Sequence, residues 1–142
     1  MRPILELLKT RDGATFSLNP QDSVFSALQQ LADHDVGAMM VLDQGKLVGV
    51  FSERDYTRKI ALAGKSSKDT KVADIMTAGV ITVGSQVDSR DCMALMAQKK
   101  IRHLPVVDDG KVVGMISIRD IMNDIISDHE MTISHLEHYI SS

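Results

Sequence analysis

The chain has 142 residues, 44% hydrophobic and 25% charged, enough for one compact domain or two half-sized units that share a core. A net charge of −3 and a pI near 5.9 leave no basic excess to neutralise a phosphate backbone, so a nucleic-acid partner is disfavoured. No apolar run reaches membrane-spanning length, and the opening Met1-Arg2-Pro3-Ile4-Leu5-Glu6 does not read as a signal peptide, so a cytoplasmic chain with no membrane partner is expected.

Along the chain, Ile4-Leu5-Glu6-Leu7-Leu8 forms an apolar helical segment, and a β-like stretch follows from Ala14 to Leu18. Val24, Leu28 and Leu31 then recur at helical spacing behind Asp22 and Ser23, residue types that suit a helix N-terminus. Two apolar runs, Ala38 to Leu42 and Leu47 to Phe51, flank Asp43-Gln44-Gly45-Lys46, a hairpin signal, and a second helix is predicted from Ser52. Gly64 to Lys71 is a polar linker, and Val72 to Met76 a short helical turn. The same order then returns: a β-run at Val80 to Val83, a helix carrying Val87, Leu95 and Met96 behind Asp88 and Ser89, a hairpin about Asp108-Asp109-Gly110-Lys111, and a helix from Ser117.

The return is a repeat in register. Val41, Asp43, Gly45-Lys46, Val48-Gly49, Ser52 and Arg54-Asp55 meet Val106, Asp108, Gly110-Lys111, Val113-Gly114, Ser117 and Arg119-Asp120 at a constant shift of 65 positions. Chance would match about one position in twenty, so duplication is the economical explanation. Each copy reads β-α-β-β-α, which predicts an α+β protein with one repeat in residues 1–71, including the N-terminal helical segment and linker, and a second in 72–142 with an extended C-terminal helix. A three-stranded unit of this size leaves an apolar sheet face uncovered, so the copies should pack sheet against sheet with ligand clefts between them.

Both copies carry Gly-x-x-Ser-x-Arg-Asp where a β-run enters a helix: Gly49, Ser52, Arg54, Asp55 and Gly114, Ser117, Arg119, Asp120. A serine at a helix start lies beside unpaired N–H groups, an aspartate three residues on can accept both hydrogens of a ribose diol, and Arg54, Arg119 and Arg58 offer forks for phosphate oxygens. The set fits a nucleoside phosphate. Ser-x-x-Asp is also close to a capping box, in which the two side chains satisfy backbone donors and bind nothing.

Val48-Gly49-Val50-Phe51-Ser52-Glu53-Arg54-Asp55, together with Ile101 to Asp108 and Val113-Gly114-Met115-Ile116-Ser117-Ile118-Arg119-Asp120, resembles the tandem cystathionine β-synthase (CBS) domain pair, over about Ala14 to Asp128. The resemblance implies a regulatory, non-catalytic module that takes AMP, ADP, ATP, NAD(H) or S-adenosylmethionine in two inter-repeat clefts and relays occupancy to an effector protein. It implies that Asp55 and Asp120 hold ribose hydroxyls beside Ser52 and Ser117, with Arg54, Arg58 and Arg119 near the phosphates. Thr15, Phe16, Ser17, Leu18, Gly37, Ala38, Met39 and Phe51 of the first copy, with Ile81, Thr82, Val83, Arg102, His103, Leu104, Pro105 and Ile116 of the second, would line the adenine slots. Where the second copy has Arg102-His103-Leu104-Pro105 the first has Gly37-Ala38-Met39-Met40, so the clefts should differ in affinity or in the number of phosphates accepted; His103 also reads as a half-exposed structural histidine.

Beyond the repeat, Met122, Ile126, His129, Ile133, Leu136 and Ile140 recur at alternating four- and three-residue steps, the spacing of a coiled-coil seam. A homodimer is expected, with Ile4 to Leu8 covering part of the stripe within the chain; a frayed amphipathic tail is the alternative. Of His129, His135 and His138 the last two are three apart on one helix face, but no cysteine or acidic ligand joins them at familiar spacing, so no metal is expected, and Cys92, the only cysteine, reads as a buried structural thiol. No nucleophile elbow, phosphate-cradling glycine loop or His-Glu-x-x-His is present. The competing readings are an interaction module with vestigial clefts and an enzyme acting on a nucleotide through an Asp–Arg pair and His103.

Overall fold

The structure, a computed structural model, describes residues 2–9 and 16–141; Ala14 and Thr15 of the first predicted β-run lie outside the described residues. The first unit is a three-stranded sheet. β1 (Ser17–Leu18) runs parallel to β2 (Ala38–Asp43), which pairs antiparallel with β3 (Lys46–Ser52). Gln44 and Gly45 at the hairpin tip have φ of 50° and 82°, the two left-handed positions of a type I′ turn. In the second unit β4 (His103–Asp108) pairs antiparallel with β5 (Lys111–Ser117), and Asp109 and Gly110 repeat the turn at 50° and 78°. Even the register irregularity is duplicated, between Val41 and Leu42 and between Val106 and Val107.

The predicted β-run Val80 to Val83 is corrected to a single parallel bridge, Val83 to Val106. Two groups stop the ladder. Pro105 has no N–H to donate toward the carbonyl of Ile81, whereas Met40 at the equivalent position of the first copy has one. On the other side the Ser85 N–H, next in line for β4, donates instead to Asp108 Oδ1 at 2.9 Å, while the Ser85 hydroxyl donates to Oδ2 at 2.5 Å. These bonds hold the Asp108 carboxyl below its ordinary pKa.

The helices start where the sequence places them. Ser23 caps α2 (Val24–Asp33), accepting from the Ser26 N–H at 3.0 Å, and Asp88 caps α5 (Ser89–Lys99), accepting from the Arg90 N–H at 2.7 Å. α3 (Glu53–Tyr56) leads into a π-helical turn, Thr57–Ala61, whereas its counterpart α6 (Ile118–Ser141) continues as one long helix.

Two cores form, and the short helices cross between them. α4 (Val72–Ile75) precedes the second repeat yet seals the first core, where Val72 and Ile75 pack with Leu18, Val24, Leu31 and Phe51. α1 (Ile4–Lys9) precedes the first repeat yet seals the second core, where Ile4 and Leu7 pack with Cys92, Met96, Leu104 and Ile116. The backbone bonds match one for one. The N–H groups of Val72 and Ala73 donate to the carbonyls of Asp22 and Pro20, and those of Ile4 and Leu5 to the carbonyls of Val87 and Ser85, the same positions one repeat later. Each unit is thus completed by a segment that the chain delivers ahead of the other. The Arg2 guanidinium also reaches the buried Asp124 carboxylate on α6, fastening the N-terminus to that helix.

α1 covers Ile121 and Ile125 of α6, one residue short of each of the first two seam positions. Among the described residues nothing covers the seam, contrary to expectation: Met122, Ile126, Ile133, Leu136 and Ile140 are all more than half exposed.

Cys92 is fully buried in the second core, and its thiol is pushed up to about 11 from an ordinary 9.0, by burial first and then by Asp91 and Asp88. The folded state therefore keeps a proton that the unfolded chain loses near pH 9. The Cys92 contribution to stability is intact below that pH and drains away as the pH rises from about 9 toward 11. Urea midpoints measured at pH 8 and pH 10.5 should fall further in the wild type than in Cys92→Ala, and equal falls would contradict the burial of this thiol.

Candidate functional site

β3 and β5 bring the two sheets into contact, and a cavity of about 650 Å³ opens between the repeats, within the usual size range of ligand pockets. The first repeat lines it with Gly37 and Ala38 at the start of β2, Val50 and Ser52 of β3, and Glu53, Arg54 and Asp55 of α3. The second contributes Val80 and Ile81 ahead of α5, then Lys100, Ile101, Arg102 and His103 between α5 and β4. Thr77 and Gly79 reach it from the segment joining the repeats. Its walls are therefore apolar at Ala38, Val50, Val80, Ile81 and Ile101, with cations at Arg54, Lys100 and Arg102.

The joining segment is held in place by a backbone exchange. The Val50 N–H donates to the Thr77 carbonyl at 3.0 Å and the Thr77 N–H to the Val50 carbonyl at 2.9 Å, which makes residue 77 a one-residue extension of the sheet. The approach is possible because residue 49 is glycine: a Cβ there would lie 2.7 Å from the Met76 sulfur and 2.9 Å from the Thr77 carbonyl oxygen.

Asp55 is buried at the inner end of this arrangement. Its Oδ2 accepts from the Ser52 N–H at 3.0 Å and the Ser52 hydroxyl at 3.1 Å, while its own N–H donates to Ser52 Oγ at 3.2 Å. Its Oδ1 accepts from the Thr77 hydroxyl at 3.1 Å and pairs with the Lys59 ammonium at 3.2 Å. The capping box is thus formed, and Oδ1 is the oxygen turned toward exchangeable side chains. Ser117 and Asp120 form the same box, with 2.8, 2.9 and 3.2 Å for the equivalent bonds.

Of the residues singled out from the sequence, the cavity gathers Gly37, Ala38, Ser52, Arg54, Asp55, Ile81, Arg102 and His103. Leu18, Met39 and Phe51 lie in the first hydrophobic core, and Leu104 and Ile116 in the second. Pro105 is buried, Val83 packs against the second core, and Ser17, Thr82 and Arg58 are exposed. Phe16 is 45% exposed and stacks on His34 with ring centroids 3.6 Å apart. Ser117, Arg119 and Asp120 belong to the equivalent corner of the second repeat, outside this cavity, and Thr15 lies outside the described residues. The sequence reading missed Val50, Glu53, Thr77, Gly79, Val80, Lys100 and Ile101. Lys100 carried a usable signal, since it stands two residues before Arg102, but Thr77 had none, because its place depends on pairing with β3. Among the described residues no cluster of three or more His, Cys, Asp or Glu forms a metal site, and no helix is long and apolar enough to cross a membrane.

The CBS-domain sequence pattern matches this chain twice, at residues 14–62 and 72–127. The chain belongs to the CBS-domain family. It is 39% identical over 137 residues to the CBS domain-containing protein CBSX3, mitochondrial, of Arabidopsis thaliana, covering 93% of this chain and 66% of that relative. It is 30% identical over 105 residues to the CBS domain-containing protein YhcV of Bacillus subtilis, covering 74% of each chain. An inosine-5'-monophosphate dehydrogenase of Methanocaldococcus jannaschii is 30% identical over 108 residues, but these are only 21% of that enzyme. Among solved structures, a protein with CBS domains from Burkholderia ambifaria superposes with a TM-score of 0.84 at 38% identity, over 88% of this chain and 94% of the other. The CBS domain NE2398 superposes with 0.83 at 44% identity, over 89% and 99%. The α+β tandem CBS pair with a long C-terminal helix is thus the fold of this chain. Members of the family generally serve as regulatory modules and generally bind adenosine-containing ligands.

Proposed function

We propose that this CBS pair is a regulatory, non-catalytic sensor that binds an adenine nucleotide (AMP, ADP, ATP or NAD(H)) or the adenosyl ligand S-adenosylmethionine in the cavity beside Asp55 and relays occupancy to an effector protein. The observation that carries the reading is the position of Asp55 at an inter-repeat cavity with apolar walls and a cationic side. Oδ1 would receive the ribose hydroxyls in place of the Thr77 hydroxyl and the Lys59 ammonium, since an ionised carboxylate has about four acceptor sites and Ser52, Thr77 and Lys59 engage all of them. Adenine would lie against Ala38, Val50, Val80 and Ile81, with phosphates toward Arg54 and Arg102.

A ligand touching both repeats shifts the balance between their relative arrangements, by no more than its difference in affinity for the two. Thr77 is the natural reporter, because it joins Asp55 to the segment between the repeats. By the capping geometry that Ser117 and Asp120 share, a second cleft would form at the other end of the pair. Calorimetric titration with AMP, ATP, NADH and S-adenosylmethionine tests the reading. Saturable heat for at least one is expected, and flat heats for all would leave only the docking-module alternative.

The exposed seam of α6 supports a homodimer as the working assembly, with Ile126, Ile133 and Ile140 at one repeating position and Met122, His129 and Leu136 at the other. β-Branched residues at the first of these positions, with Leu136 at the second, favour two-stranded pairing. Light scattering should give the dimer mass for the wild type and the monomer mass for Leu136→Asp, with the thermal melt of the repeats little changed. A wild-type monomer at high micromolar concentration would exclude it.

A further inference from the structure

We infer that the cavity beside Asp55 selects nucleoside triphosphates over the monophosphate and over adenosyl ligands that carry no phosphate. This rests on the nucleotide reading above and adds to it a choice among ligands, carried by the charges of the lining.

Three cations line the cavity, Arg54 from the first repeat and Lys100 and Arg102 from the second, against two carboxylates, Glu53 and Asp55. Counted on these side chains alone, the lining presents an excess of positive charge to whatever enters. An anion of higher charge gains more from that excess, and Arg forks suit phosphate oxygens.

The excess is particular to this cleft. By the 65-residue register Lys100 corresponds to Asp35, Arg102 to Gly37 and His103 to Ala38. Lys100 and Asp35 hold the same left-handed backbone just beyond a helix, with φ of 55° and 52°, so equivalent positions carry opposite charge. A non-glycine residue at such a φ is disfavoured, which makes a bulky cation at residue 100 a poor choice for backbone reasons alone. By the same register an equivalent cleft would hold Asp35 at the place of Lys100, Arg102 at that of Gly37, Ile118 at that of Glu53, and Arg119 and Asp120 at those of Arg54 and Asp55, two cations against two carboxylates, so the excess and the one triphosphate site per chain belong to the cavity beside Asp55.

Calorimetry of the full chain in magnesium-free buffer, with ATP, ADP, AMP and S-adenosylmethionine as separate titrants, reads this directly. ATP should bind about tenfold or more tighter than AMP, at one site per chain, with S-adenosylmethionine weakest; the solvent exposure of the three cations keeps the factor modest. In Lys100→Ala/Arg102→Ala the ATP-to-AMP ratio should narrow to within about threefold, because two of the three lining cations are gone, and the melting temperature should hold, because both side chains are exposed. AMP binding as tightly as ATP, or a ratio unchanged in the double variant, overturns triphosphate selection and leaves nucleotide binding standing. No heat with any of the four overturns both.

Discussion

Replacing Ile4 by alanine is expected to lower the unfolding free energy by about 3 kcal/mol, a large effect for a residue four positions from the start of the chain. Ile4 is fully buried, and its contacts are with the second repeat, among Leu7, Cys92, Met96, Leu104 and Ile121. Truncation would leave a cavity at the seam between α1 and that core, beside the Arg2–Asp124 pair that fastens the same segment. Urea unfolding of Ile4→Ala against Lys9→Ala, an exposed position on the same helix, isolates the packing contribution. Amide exchange should accelerate in β5 and the first turns of α6 and stay unchanged in β2 and β3. A cost below about 0.5 kcal/mol, the range of ordinary surface changes, would mean that α1 does not seal the second core in solution.

Asp55→Ala is expected to weaken nucleotide binding about 10- to 100-fold, the loss of hydrogen bonds that two ribose hydroxyls donate to a charged acceptor. It should also destabilise the fold, because Asp55 closes the capping box on Ser52 and holds Thr77 and Lys59. Asp120→Ala separates the two effects. It removes a box of the same geometry, which should cost about 1 kcal/mol, and does not touch the cavity lining. Melting temperatures falling in both variants with binding lost at this cavity only in Asp55→Ala would assign the carboxylate to the ligand. Binding unaffected by Asp55→Ala would reduce its role to capping.

The duplication made most of this fold legible. Local chemistry fixed the caps at Ser23 and Asp88 and the type I′ turns at Gln44-Gly45 and Asp109-Gly110, so sequence and structure agree there almost residue for residue. Arg54 and Asp55 are marked by the motif that both copies repeat, and Arg102 and His103 by the family resemblance and by the difference between the copies. The missing pieces depend on tertiary pairing. Nothing in Ile4 to Leu8 reveals which repeat it seals, and Thr77 joins the site only because Gly49 lets its carbonyl approach β3. The Val80 to Val83 run fails as a strand because of the proline opposite it at position 105 and the Ser85–Asp108 bonds, of which only the proline is readable from the sequence. Leu18, Met39, Phe51, Leu104 and Ile116 sit in β-runs that border the clefts, but alternation along a strand turns them into the cores.

The most direct test is a crystal structure of the chain grown with ATP. The account predicts one nucleotide between the repeats, its ribose hydroxyls on Asp55 Oδ1, the Thr77 hydroxyl released from that oxygen, and phosphates beside Arg54 and Arg102. A cavity left empty at saturating ATP, with the Thr77–Asp55 contact intact, would contradict it.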